Sequence, residues 1–274
     1  MLRRLLEVKT SLTLALSCLP RSPPALTSRQ WEILEDCIPL FNSLEKFTAE
    51  LSGDKYVTSS VIIPLIMGAQ HLVMNSKPAT TVGERLKEVL LENFSKRLSP
   101  YEKQVIPSNA TILDPRFKKV AFGLEENASE AYNRIQDEAD ALHLKKNVGV
   151  SMSEEEIPTS TSKESSLWSF FEKKTADKGT VRSSSFSEED LRLYIQMPLC
   201  HREQDPLNFW YKYEANMPLV SKMAKKYLCI PATSVPSERL CSKAGTIRSD
   251  LRSRIKSTDV DKLLFINSNL HLLE

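Results

Sequence analysis

The sequence predicts a mainly α-helical protein, and three observations carry that prediction. Apolar residues recur at three- and four-residue spacing through most of the chain, which is the period of one helix face. The 274 residues include only 7 glycines against 15 prolines. That balance argues against a glycine-rich phosphate-binding fold and against an all-β architecture, and it fits helices punctuated by prolines. A hydrophobic content of 41% supplies a core, and 26% charged residues is ordinary for a water-facing protein. The length allows one large domain or two small ones.

The first element is an amphipathic helix using Leu2, Leu5, Leu6 and Leu12. Its early arginines and short apolar run resemble a weak signal peptide, but Glu7 and Lys9 interrupt the apolar part. Thr27 and Gln30 form a capping box. From there Trp31, Leu34, Ile38, Phe41, Leu44, Thr48 and Leu51 make a stripe, with a kink expected at Pro39 and a left-handed stop at Gly53. A second helix, from Ser59 or Ser60 through "VIIPLIMGAQHLVM", is apolar nearly all round and is expected to be central. A third carries Val82, Leu86, Val89, Leu90, Phe94 and Leu98, and a fourth sets Ala131, Ile135, Ala139 and Leu142 on one face.

From Asn147 to Ser187 serine, threonine and charged residues dominate. Such a stretch buries too little apolar surface to offset the entropy of ordering, so residues 147–186 are expected to be a disordered linker. Within it "LWSFFEKK" sets Leu167, Trp168, Phe170 and Phe171 together, expected to dock on the protein's own core. The expected division is therefore a helical region at 1–146, the linker, and a C-terminal domain at 187–274. In that last part Ser187 is expected to cap "EEDLRLYI", and Asp205 with Pro206 opens "LNFWYKY" as N-cap and first-position proline. Leu219, Val220, Met223, Ala224, Tyr227 and Leu228 then share one face, with Lys222, Lys225 and Lys226 opposite.

Several function classes are excluded or weakened. The five cysteines, Cys18, Cys37, Cys200, Cys229 and Cys241, are odd in number and widely spaced, a reduced intracellular pattern rather than a disulfide framework. The four histidines show no zinc-ligand spacing, and the pair Cys200–His201 has no second pair at a suitable distance. No metal or cofactor is expected. No stretch approaches the roughly 20 apolar residues of a membrane span, so no membrane partner is expected. The sequons at Asn109 and Asn127 read as chance.

The stretch "PATSVPSERLCSKAGTIRSDLRSRI" raises the one catalytic question. Its helix is expected to turn Leu240, Cys241 and Ala244 inward and to end at Gly245, with Glu238 in the first turn, where the exposed N–H groups and the helix dipole favour a carboxylate. After it, with Thr258 as the expected cap, Val260, Leu263, Leu264, Phe265, Ile266 and Leu270 leave little of the last helix polar. A helix this apolar needs cover on more than one side, and a second subunit is a natural source. Between Ser221 and Lys256 nine basic residues face only Glu238 and Asp250.

The span "DPLNFWYKYEANMPLVSKMAKKYLCIPATSVPSERLCSKAGTIRSDLRSRIKSTDVDKLLFINSNLHLL" resembles the C-terminal dimerisation region of hAT-superfamily transposases. The shared pattern is aspartate-proline, a tryptophan, then A-x-x-Y-L-x-I-P-A-T-S, S-E-R, A-G, an arginine-rich turn and L-x-F-I-x-x-N. "ATILDPRFK" and "LWSFFEKK" also resemble this group, and the first helices resemble domesticated members, the BED-type zinc-finger proteins. The resemblance implies an incomplete ribonuclease-H-like transposase core: its C-terminal portion, together with a large helical insertion. Glu238 matches the glutamate of the family's acidic triad. The two aspartates lie on strands before the helical region, so this chain is expected to lack them, and Asp114 in "LDPRF" is no substitute. One glutamate cannot assemble a two-metal site. Glu238 is therefore expected to be a relic, and the chain no enzyme. Cys241 departs from the phenylalanine usual in the family.

The expected function is a non-catalytic dimerisation module in a nuclear, DNA-associated or transcription-regulating protein, pairing with itself or with related hAT-derived proteins. Trp210, Leu219, Met223, Tyr227, Leu263, Leu264, Phe265 and Ile266 are its core or interface residues, undivided between those two roles. The alternative is non-specific DNA binding, with Lys222, Lys225, Lys226, Lys243, Arg248, Arg252 and Arg254 on phosphates. An active transposase or nuclease ranks last.

Overall fold

A computed structural model describes residues 1–150, 186–248 and 255–270, with the backbone alone at 143–150 and 186–188. Among these residues every regular element is helical. The order is α1 (Leu2–Glu7), α2 (Lys9–Cys18), α3 (Ser28–Leu51), α4 (Ile62–Asn75), α5 (Thr81–Asn93), α6 (Val105–Leu113), α7 (Glu125–Val150), α8 (Phe186–Gln196), α9 (Pro206–Tyr213), α10 (Pro218–Leu228), α11 (Val235–Ile247) and α12 (Ser257–Asn269). The span between α7 and α8, with Trp168 and its neighbours, lies outside the described residues, as do Arg252 and Arg254.

Local chemistry sets several boundaries where the sequence put them. Thr27 and Gln30 exchange their capping bonds at the start of α3. Asp205 accepts from the Leu207 N–H at 2.9 Å and Pro206 opens α9. Other boundaries differ. Helix α8 starts at Phe186, so Ser187 lies inside it rather than capping it. Lys256, not Thr258, precedes α12, and α11 runs past Gly245 to Ile247. Helix α3 continues through Pro39 and ends at Leu51 without a left-handed residue. Gly53 serves a different need there. A Cβ on it would lie 2.3 Å from the Tyr56 ring, whose hydroxyl turns back to donate to the Glu50 carbonyl at 2.7 Å.

The stripe on α3 also divides. Leu40, which falls outside the expected stripe, is fully buried, while Phe41 is exposed. Helix α3 has neighbours on two sides, α1 on one and α4 with α5 on the other, so no single 100° face describes it. Helix α4 meets α3, α5 and α6, as its apolar composition predicts, but it is not covered all round. It buries Ile62, Ile63, Ile66, Ala69 and Val73 but turns Met67, Leu72 and Met74 to solvent.

Two apolar clusters result. The smaller gathers Leu40, Leu51, Ile62, Ile66, Ala69, Val73 and Phe94. The larger draws on both sides of the 151–185 span: Ala110, Ile112, Leu113, Ala131, Ile135 and Ala139 pack with Leu191, Tyr194, Trp210, Val220, Met223, Ala224 and Leu228. The alternation at Ala131, Ile135 and Ala139 is what lets α7 approach closely.

The "ATILDPRFKK" segment is the keystone of that larger core. Asp114 is fully buried and accepts from the Ser60 hydroxyl at 2.6 Å, from the Arg116 N–H at 3.0 Å and from the Arg116 guanidinium at 2.7 and 2.9 Å. A buried carboxylate is tolerated only when paired and hydrogen-bonded in this way. Just before it, the Ile112 carbonyl accepts from the Tyr194 hydroxyl at 3.0 Å and the Leu113 carbonyl from the Trp210 indole at 2.8 Å. Just after it, Lys118 takes a left-handed φ of 49°. Its buried ammonium donates to the Tyr194 and Met197 carbonyls at 2.6 Å each, closing the end of α8. Burial holds the Lys118 pKa below its ordinary value. The motif is thus a structural hub.

Candidate functional site

The last two helices form an arm. Helices α11 and α12 pack chiefly against each other, whereas α8, α9 and α10 are built into the body. Helix α11 has no buried residue, and α12 has one, Val260. Leu240 and Cys241, expected to point inward, are exposed, and Ala244 is only half-buried. On α12 Leu263, Phe265, Ile266 and Leu270 are 45, 70, 51 and 49% exposed. At 100° per residue Leu263, Ile266 and Leu270 share one edge of the helix, and Phe265 stands on the far side. Lys243 on α11 reaches Asn267 on α12 at 3.3 Å.

The structure sorts the eight residues that the sequence left undivided between core and interface. Trp210, Met223 and Tyr227 fill the body, and Leu219 is half-buried. Leu263, Phe265 and Ile266 are open to solvent, with Leu264 half-buried. Trp210 packs among Tyr194 at 4.7 Å and Phe209 at 5.3 Å between ring centres. The contacts of Tyr194 with Trp210 and Phe209 hold α8 and α9 together inside one copy.

The basic strip is partly committed. On α10, Lys225 pairs with Glu214 at 2.7 Å and Lys226 with Glu138 at 2.6 Å, while Lys222 is exposed. Glu138 also accepts from the Tyr227 hydroxyl at 2.6 Å, so it clips α7 to α10. Burial pushes the Glu138 carboxyl up, but the bonds from Lys226 and Tyr227 outweigh it and hold the pKa below its ordinary value. The bond to Glu138 raises the Lys226 ammonium correspondingly. Arg239 lies 3.8 Å from Asp54, and Lys243 and Arg248 are exposed.

Glu238 is exposed in the first turn of α11 and accepts from the Ser234 hydroxyl at 2.5 Å. This arrangement fastens the start of the helix, as the dipole favours. Among the described residues no group of three or more His, Cys, Asp or Glu side chains comes together in a way that could hold a metal ion. The sequon residues Asn109 and Asn127 are both buried. No described helix is long and apolar enough to cross a membrane.

What sequence reasoning missed is the root of the arm. Thr58, Thr233 and Ala232 join the α10–α11 link to the corner after α3. The "IPATS" string was visible, but its partners lie more than 170 residues away in sequence.

Comparison with known proteins takes in the arm together with the three helices before it. A family profile, hAT family C-terminal dimerisation region, matches residues 190–270. Zinc finger BED domain-containing protein 4 from Homo sapiens is 28% identical over 284 aligned positions, which take in all of this chain and 23% of that protein. Residues 190–270 are thus similar to hAT-family C-terminal dimerisation regions, and along its whole length the chain is similar to a BED-type zinc-finger protein, of which it spans less than a quarter.

Proposed function

We propose that this chain is a non-catalytic self-association module derived from a hAT transposase, and that a second copy covers the α11–α12 arm. The observation that carries the reading is the set of large apolar side chains left open on the arm: Leu240, Leu263, Phe265, Ile266 and Leu270. Burying such a side chain stabilises by roughly 1.5–3 kcal/mol. Several from each copy, set against an association cost of about 4–15 kcal/mol, suffice for a stable pair. A related hAT-derived protein with the same stripe would fit the same surface. In this reading Glu238 is a relic of the acidic triad that now only fastens a helix. The arm and its Glu238 helix are what remains of a ribonuclease-H-like core. The protein works in the nucleus in association with DNA or transcription, a setting supported by the resemblance to BED-type relatives.

Sedimentation equilibrium across concentrations tests the proposal. The wild type is expected to dimerise, and Leu263→Asp with Ile266→Asp to weaken dimers at least 100-fold while far-UV circular dichroism keeps the helical signal. A wild type that stays monomeric, or a double variant that dimerises normally, overturns it.

Direct DNA binding is the second reading. Exposed Lys222, Lys243 and Arg248 favour it, and the ion pairs of Lys225 and Lys226 subtract from it. A salt titration separates the two, since phosphate contacts give a steep fall of affinity with salt.

A further inference from the structure

Two copies meet through their arms most tightly when each arm leaves its body in a fixed direction. The link from α10 to α11 is short, and its polar groups are tied to the corner that follows α3. The Ala232 N–H donates to the hydroxyl of buried Thr58 at 2.9 Å, and the Ala232 side chain packs on the smaller apolar cluster. The Thr233 hydroxyl donates to the Leu51 carbonyl at 3.3 Å and accepts from the Val235 N–H at 3.4 Å. Leu51 is the last residue of α3 and Val235 the first of α11. Both groups lack partners within their own helices, as helix ends must. One hydroxyl therefore joins the end of one helix to the start of the other.

We infer that Thr233, supported by Thr58, is a positioning residue for self-association: it fixes the direction in which the α11–α12 arm leaves the body. The inference rests on the self-association reading above. Thr58 adjoins Val57 of the larger core around Trp210, whereas the Thr233 hydroxyl bonds to Leu51 and Val235, which lie outside it, so Thr233 is the position at which the root loosens with that core left intact. A loosened arm has to be immobilised during association, which weakens the dimer by about tenfold.

The test uses the full chain and compares wild type with Thr233→Val, Thr233→Ser and Thr58→Val. Valine keeps the shape and removes the hydroxyl, and serine keeps the hydroxyl. The expected result is a dimer about tenfold weaker for Thr233→Val at a near-unchanged melting temperature. Thr233→Ser is expected to return to within about twofold of wild type, and Thr58→Val to weaken the dimer in the same direction. Faster amide exchange at Val235 in Thr233→Val, with the amides of α10 unchanged, reports the freed root independently of association. If Thr233→Val fails to fold, Thr58→Val against Thr58→Ser carries the same comparison. A wild type that dimerises while Thr233→Val matches it within twofold overturns this inference alone. So does a serine variant as weak as the valine one. A wild type that never dimerises overturns the self-association reading and this inference with it.

Discussion

In α10 the residues Val220, Met223, Ala224, Tyr227 and Leu228 are all buried within one copy; in α12, with Leu263 to Ile266 in an unbroken apolar run, Val260 alone is. Part of the difference lies in the helices, since the apolar residues of α10 keep to one face and those of α12 run consecutively. The rest lies in what surrounds them: α10 meets α6, α7, α8 and α9, and α12 meets chiefly α11. An apolar stripe states that cover is needed and says nothing about whether the same chain supplies it. The body answers that need internally and the arm does not, which is why the arm is the place to look for a partner.

The sharpest way to break the contrast is to damage the body. Trp210→Ala removes a fully buried indole and orphans the Leu113 carbonyl. It is expected to cost about 4 kcal/mol of stability in urea unfolding, and to lose dimers only because the body loosens. Next, Asp114→Ala strips the partner from half-buried Arg116 and from the buried Ser60 hydroxyl and is expected to cost about 3 kcal/mol, read the same way. A loss under about 1 kcal/mol for Trp210→Ala would mean that the two sides of the core are less tightly joined than the contacts imply, and the same result for Asp114→Ala would mean that its bonds to Ser60 and Arg116 do little to hold that segment.

Smaller effects sharpen the comparison. Val260→Ala, in the arm's one buried position, is expected to cost about 1 kcal/mol and to reduce helicity in the arm ahead of the body, seen by amide exchange. Glu138→Gln removes the clip between α7 and α10. The Glu138 pKa is held below its ordinary value, so the clip contributes above the ordinary carboxylate range and is lost as pH falls through the depressed value. Stability measured from neutral pH into acid should therefore fall less steeply in the variant, with a difference of about 1 kcal/mol near neutrality. Glu238→Gln is expected to change stability by less than about 0.5 kcal/mol and to leave association untouched. A large loss of either would give that carboxylate a role beyond fastening its helix.

Much of the local architecture was legible. The Thr27–Gln30 box, the Asp205–Pro206 start and the small-residue face of α7 follow from interactions within three or four residues, which sequence spacing records. The inward face of α10 was legible for the same reason. What failed was direction beyond the helix itself. Leu240 and Cys241 have the right period to face inward, yet the arm has no body beneath it there. Met67, Leu72 and Met74 look central on composition, but neighbours cover only the inner side of α4. The hub at Asp114 and Lys118 was unreadable because its partners at Ser60, Tyr194 and Met197 lie 54 to 79 residues away. The signal available was "LDPRFKK" itself: one acid and three bases directly after an apolar run, of which Asp114 and Lys118 turn out to be buried. The division of Trp210 and Met223 from Leu263 and Ile266 needed the tertiary structure for the same reason.

The seam running through the larger core has an implication for any rearrangement of this polypeptide. Residues 190–270 could be grafted onto a foreign scaffold, but Tyr194, Trp210 and Met223 would then arrive without the carbonyls and alanines that receive them. Such a transplant would also leave behind Thr58 and the Leu51 carbonyl, so its arm would arrive without the bonds that fix its root.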